Sequence, residues 1–233
     1  MVLLGTIVNG VCIVMGTIIG SFLTRIPEKV KETVMKAIGL SVSLLGIQMG
    51  LKSEQFLIVI ISLVAGAVIG EYIDLDDKLN RLGMWIERKI GARAKGNIAK
   101  GFVTATLIFV IGAMAIIGSL DSGLRGDHKV LYTKSLIDGF TSLILTTTLG
   151  VGVILSAIPV ILYQGSIALF ATQIERFVPT ELMNSFIVEM TSAGGLMILA
   201  IGLNMLDITK IKVANLLPSI LIVALIVTIL YQF

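Results

Sequence analysis

No charged residue interrupts the chain between Leu3 and Leu23, and comparable apolar stretches return at intervals down to its last residues. Crossing the hydrocarbon core of a bilayer takes about 20 residues of helix. Lipid offers no water to satisfy backbone N–H and C=O groups, so a spanning segment must be a helix or part of a closed barrel. The alternating segments of about ten residues that mark a barrel are absent. The chain is therefore predicted to be all-α and polytopic. Its charged fraction agrees: 14%, against roughly 25% in soluble domains.

About eight segments can be drawn. The first is Leu3 to Leu23; Met1-Val2-Leu3-Leu4 lacks a basic n-region and an Ala-x-Ala cleavage site, so residues 3–24 are expected to be a retained span rather than a signal peptide. Pro27 opens the second, which runs to Leu51, and Phe56 to Ile73 is the third. In the polar stretch that follows, Leu79, Leu82, Trp85, Ile86 and Ile90 recur at helical spacing opposite Lys78, Arg81, Arg88 and Lys89. That pattern predicts an amphipathic helix on the membrane surface over 78–95. Phe102 to Leu120, Leu131 to Ala157, Pro159 to Glu175, Pro179 to Leu206 and Val213 to Tyr231 complete the set.

The last third repeats the first. Ala37 to Met49 aligns with Ala193 to Met205 at a spacing of 156 residues, with five of 13 positions identical. Upstream, Asn9-Gly10 and Gly16-Thr17 match Gln164-Gly165 and Ala171-Thr172, and Pro27 matches Pro179. Two related three-helix units are a recurrent transporter plan. The expected organisation is a first unit over 1–73, the surface helix and linker over 74–97, a two-helix insert over 98–157 and a second unit over 158–233.

Loop charges orient the chain. Thirteen of its 18 Lys and Arg residues fall in the loops after the first, third and seventh segments. Those loops are expected to be cytoplasmic and both termini outside. With five segments between the starts of the two units, the second must lie inverted.

Charges within a bilayer are expensive, about 2.5–3.5 kcal/mol each at mid-membrane, and read as functional by default. Asp138, followed by Gly139, is a candidate to bind a cation or exchange a proton, with Gly139 loosening the helix around it. Lys134, four residues earlier, is an alternative partner that would make Asp138 structural. Glu189 is the other such carboxylate. Asn9, Gln48, Gln164 and Asn204 form a repeat-related set of amides beside or near glycine, Gly165 among them. Lipid leaves an amide unpaired, so these should face protein or a wet cavity. They are expected to converge where the repeats meet, unless they serve as hydrogen-bonding glue between helices. Gly10, Gly139, Gly150, Gly152 and Gly165 are candidates for unwound backbone, and Thr146-Thr147-Thr148 for cation ligands. Gly16-x-x-x-Gly20 and Gly66-x-x-x-Gly70 permit close helix approach, within the chain or in a homodimer.

Other classes fit poorly. One cysteine, Cys12, and one histidine, His128, cannot make a Cys/His metal cluster, and no cofactor is expected. No nucleophile-elbow, zinc-protease or phosphate-loop motif occurs, so the chain is not expected to be an enzyme. Its basic residues lie beside the membrane, which removes the need for a nucleic-acid partner.

Gly112-Ala113-Met114-Ala115-Ile116-Ile117-Gly118-Ser119-Leu120, Asp121-x-Gly123-Leu124, Lys134-Ser135-x-x-Asp138-Gly139, Ser156-Ala157-Ile158-Pro159-Val160 and Tyr163-Gln164-Gly165 follow in order. This set resembles the YqgA/YdfK-type bacterial membrane proteins, a family built around a domain of unknown function. The resemblance covers nearly the whole chain. It implies a plasma-membrane protein with transport as its expected activity, brings no substrate, and places Asp138, Tyr163, Gln164 and Gly165 among recurrent motif positions.

The expected function is secondary transport of a small solute or ion by alternating access between the repeats, with Asp138 coupling an ion and the amides lining the solute site. A passive channel, as a homodimer, is the first alternative. A non-transporting scaffold or sensor working through the surface helix is the second.

Overall fold

The computed structural model describes residues 1–23, 28–79, 81 and 98–232, and every long element among them is helical. In chain order these are α1 (Leu4–Phe22), α2 (Glu28–Gly50), α3 (Phe56–Ile73), α4 (Ile98–Val110), α5 (Ala113–Leu124) and α6 (Lys129–Leu149). After a 3-10 turn, Val151–Ser156, come α7 (Ala157–Leu169), α8 (Ala171–Phe177) and α9 (Thr180–Met205). A second 3-10 turn, Val213–Leu216, leads into α10 (Pro218–Tyr231). Pro27 and nearly all of the expected surface helix, Trp85 included, lie outside the described residues.

Six of the helical stretches are long and apolar enough to cross a membrane, and α4 with α5 makes a seventh if counted as one span bent by 61°. Gly112 sits at that bend with φ 150, a backbone conformation that glycine reaches without a Cβ clash. Helix α6 falls short by composition, because Lys134 and Asp138 interrupt it.

The helices are inside-out by the standard of a water-soluble protein. On α1 the buried residues include Gly5, Thr6, Asn9, Gly10, Gly16, Thr17 and Gly20. Its exposed face carries Ile7, Val11, Met15, Ile18, Ile19 and Phe22. On α3, Leu57, Ile60, Ile61, Val64 and Val68 point outward, while Ser62, Gly66 and Gly70 are buried. An aliphatic surface this extensive is what a bilayer covers.

The chain divides into two compact units: Met1–Lys31 with Asn80–Phe177, and Glu32–Leu79 with Val178–Phe233. Each unit thus takes helices from both three-helix segments read in the sequence.

In the first unit α1 lies parallel to α6. A side chain on Gly5 would strike Leu131, one on Gly16 would strike Gly139 and Ser142, and one on Gly20 would strike Leu143 and Thr146. The matching order along both helices fixes their common direction. Helix α7 runs the other way past α1, with Gly10 against Ile161 and Gly165 against Leu3 and Thr6. Ile13, Leu131, Leu145, Val153 and Val160 fill the core between these elements.

In the second unit α2 and α9 are antiparallel. Gly39 meets Leu206, Ser43 meets Gly202, Gly46 meets Leu199 and Gly50 meets Leu196. Lys36 Nζ donates to the Leu206 carbonyl at 3.1 Å, and Ser192 Oγ donates to the Gly50 carbonyl at 2.6 Å. Helix α10 packs on α3 through Ser219 against Gly66, and the 3-10 turn before it sets Asn215 against Gly70. Both small-residue stripes noted in the sequence are therefore filled by helices of the same chain.

Candidate functional site

The first unit holds a polar cluster in its core, built by three helices. Asn9 comes from α1, Lys134 and Asp138 from α6, and Gln164 from α7. Asn9 and Gln164 are 0% exposed, Asp138 3% and Lys134 7%. Each is brought inward because glycines on α1 and α6 let the backbones approach until polar side chains reach across. Gly139 performs this service: an added Cβ would stand 3.1 Å from Cys12. The helix stays regular there, so Gly139 acts by close approach rather than by unwinding.

Lys134 and Asp138 are one turn apart on α6 and face each other. Lys134 Nζ lies 2.9 Å from Oδ1 and 2.8 Å from Oδ2 of Asp138. The ammonium thus spans both carboxylate oxygens. Asn9 Nδ2 donates to Asp138 Oδ2 at 3.0 Å and to Gln164 Oε1 at 3.3 Å. A buried ion pair survives only when its remaining hydrogen-bonding capacity is also met. Asn9 supplies that contact. The sequence offered Lys134 as the partner that would make Asp138 structural, and that pair forms, buried within the unit.

The cluster is not closed. Asn9 Oδ1, Gln164 Nε2 and Thr6 Oγ1 are buried with no hydrogen-bond partner among the described residues. An acceptor, a donor pair and a hydroxyl are left over in one core. Buried polar atoms are paired in the great majority of cases, and here three in one core are left open. No nucleophile–base pair stands among them.

The other residues singled out in the sequence lie elsewhere. Gly165 is in regular helix on α7, with ordinary spacing to Leu3 and Thr6. Glu189, on α9 in the second unit, is 3% exposed. It accepts from Ser53 Oγ and from the backbone N–H groups of Glu54 and Gln55, at 3.0 and 2.9 Å. Those donors open α3, whose end carries no cap of its own. Glu189 therefore neutralises a helix N-terminus from a neighbouring helix, and it borders a cavity of about 180 Å³ with Gln55, Ser185 and Tyr231.

Gln48 is exposed just before α2 ends at Gly50. Asn204 sits at the end of α9 and ties down the following loop, donating to Ile211 O and accepting from Thr209 Oγ1 and Ile211 N. These two amides take no part in a buried cluster. The hydroxyls of Thr146, Thr147 and Thr148 each donate to a carbonyl of their own helix. Of the glycines read as unwound, Gly150 has φ 84 and Gly152 lies in the 3-10 turn, whereas Gly10, Gly139 and Gly165 are helical.

Two features escaped sequence reading. Thr6 is a hydroxyl on a helix, where bonding back to its own chain is the usual expectation. His128 has Nδ1 2.7 Å from Ser122 Oγ, which in turn donates to Val2 O at 2.8 Å. Ser122 has one proton and gives it to Val2, so Nδ1 carries the proton that His128 shares. In the second unit Asn215 bridges Asp76 N and Glu71, and Lys212 pairs with Glu71 at 2.8 Å. The Lys212 ammonium, just outside the last span, is held above its ordinary range by that carboxylate.

The sequence matches the profile of the family described as "Protein of unknown function (DUF554)" over residues 4–228. It is 36% identical over 234 residues to the "Uncharacterized membrane protein YdfK" of Bacillus subtilis (strain 168), covering 98% of this chain and 97% of that protein. It is 26% identical over 224 residues to the "Uncharacterized protein YqgA" of Escherichia coli (strain K12), covering 94% of each. No solved structure matches.

Proposed function

We propose, on the premise that the chain belongs to the DUF554 family and is a multi-pass membrane protein, that it is a secondary transporter moving a small solute across the plasma membrane. The observation that carries this reading is the buried cluster of Asn9, Lys134, Asp138 and Gln164, with its open hydrogen-bonding atoms. Polar groups inside a spanning bundle are costly to keep and mark solute paths by default.

The helix packing supports an inverted repeat. In an isologous contact each partner presents equivalent positions. On α2 the positions facing α9 are 39, 43, 46 and 50; on α9 the facing positions include 195, 199, 202 and 206, each 156 residues later. Lys36 reaching Leu206 O is answered by Ser192 reaching Gly50 O at the same offset. In the first unit the contact positions 6, 9 and 10 on α1 correspond to 161, 164 and 165 on α7. Antiparallel pairs using equivalent faces are what a two-fold axis in the membrane plane generates.

Counting α6 with the bent pair and the other six supports eight crossings. Helix α6 runs beside α1 from Gly5–Leu131 to Gly20–Thr146, so it reaches the same depths as a helix that spans. An even count returns both termini to one side, and the loop charges favour the outside for it.

Uptake by purified protein in liposomes tests the proposal. Saturable, gradient-dependent accumulation that fails in Asp138→Asn and in Asn9→Leu is expected. Single-channel currents would replace it with a passive pore.

A further inference from the structure

We infer that the first-unit cluster binds an uncharged solute of the amide class, one that presents a hydrogen-bond acceptor and a donor side by side. This rests on the cluster being a solute site and names what it takes.

The orientation of the two amides is fixed by chemistry rather than by choice. Asp138 faces an ammonium through both oxygens and is acceptor-only. The Asn9 atom touching it must be the NH₂ group, whose second proton goes to Gln164. Gln164 must therefore turn its carbonyl oxygen toward Asn9. What remains is Asn9 Oδ1, seeking a donor, and Gln164 Nε2, seeking an acceptor, both on fully buried residues. Thr6 Oγ1, one turn before Asn9 on the same face of α1, adds a hydroxyl of either sense.

Charge decides between ligand classes. Lys134 and Asp138 cancel, so the site is neutral as it stands. A metal cation would find its carboxylate already covered by the ammonium. An anion would have to take Lys134 from Asp138 and leave that carboxylate bare. Either exchange strands a charge in a low-dielectric core. A primary amide needs no exchange: its carbonyl accepts from Gln164 Nε2 while its N–H donates to Asn9 Oδ1.

The test uses full-length protein in lipid nanodiscs with ¹⁵N-labelled glutamine and asparagine side chains. The Gln164 amide signal is identified by its loss in both Gln164→Leu and Gln164→Met, so that one misfolded variant does not spoil the assignment. Titration with acetamide is expected to move that signal saturably, and equal concentrations of sodium chloride or sodium acetate to leave it in place. Asn9→Leu should weaken the acetamide response at least tenfold. Liposomes are measured in parallel for acetamide flux. A saturable shift without flux overturns the transport reading and upholds the ligand class. A shift caused by the salts, or none with acetamide, overturns the ligand class.

Discussion

Asn9 donates to Gln164 at 3.3 Å across the contact of α1 with α7, and the same NH₂ group reaches Asp138 at 3.0 Å on α6. One side chain thereby joins three helices. Its removal should be felt in both stability and uptake. Asn9→Leu unpairs one carboxylate contact and one amide contact, and a lost buried partner costs about 1–3 kcal/mol. A lowered unfolding midpoint in detergent, together with abolished uptake in liposomes, is the expected pair of results.

Lys134 and Asp138 should behave as a unit. Asp138→Asn leaves an ammonium unpaired in the core and Lys134→Met leaves a carboxylate unpaired, each at about 3–5 kcal/mol. The double variant Lys134→Met/Asp138→Asn removes both charges and should unfold later than either single one. A double-mutant cycle in detergent measures the coupling. Additive single effects would count against the pairing.

Glu189 predicts a different phenotype. Glu189→Gln replaces a charged acceptor at the start of α3 by a neutral one, and capping losses run to about 1–2 kcal/mol. Stability should fall by that order while the concentration dependence of uptake is retained. Asp138→Asn, by contrast, should abolish uptake even in protein that still folds.

Two glycines on α1 and α7 should respond unequally. Gly16→Val drives a branched side chain into the Gly139 carbonyl and Ser142. Overpacking of this kind costs about 1–3 kcal/mol or more, so folded yield should drop. Gly165→Ala meets only ordinary contacts, the nearest at 3.6 Å, and should fold as well as wild type. Yields of monodisperse protein from membranes compare the two directly.

Asp138, Asn9 and Gln164 were legible in the sequence because polar groups stand out against apolar runs, and the bilayer forbids them to face outward. Their partnership with Lys134 was legible as spacing on one helix. Depth was not. Gln48 and Asn204 looked equivalent to Asn9 and Gln164, yet both fall at helix ends, and an apolar run gives little notice of where its helix stops. Gly10, Gly139 and Gly165 were misread for a related reason: inside a spanning run glycine serves close packing, as at Gly10 and Gly139, more often than unwinding. Gly150 and Gly152 do leave the helix as read, but so does Gly112, which looks no different in sequence. Nor does local pattern reveal that α1 packs with α6 and α7 while α2 and α3 pack with α9 and α10, since these pairings join distant residues.

The inward turn of hydroxyls, amides and glycines on α1, with aliphatic side chains left on its outer face, reverses the usual tolerance to mutation. Swapping one greasy residue for another along that outer rim should pass almost unnoticed. A single extra methyl on the inner seam would wedge apart the helices that hold Asn9, Asp138 and Gln164 in register.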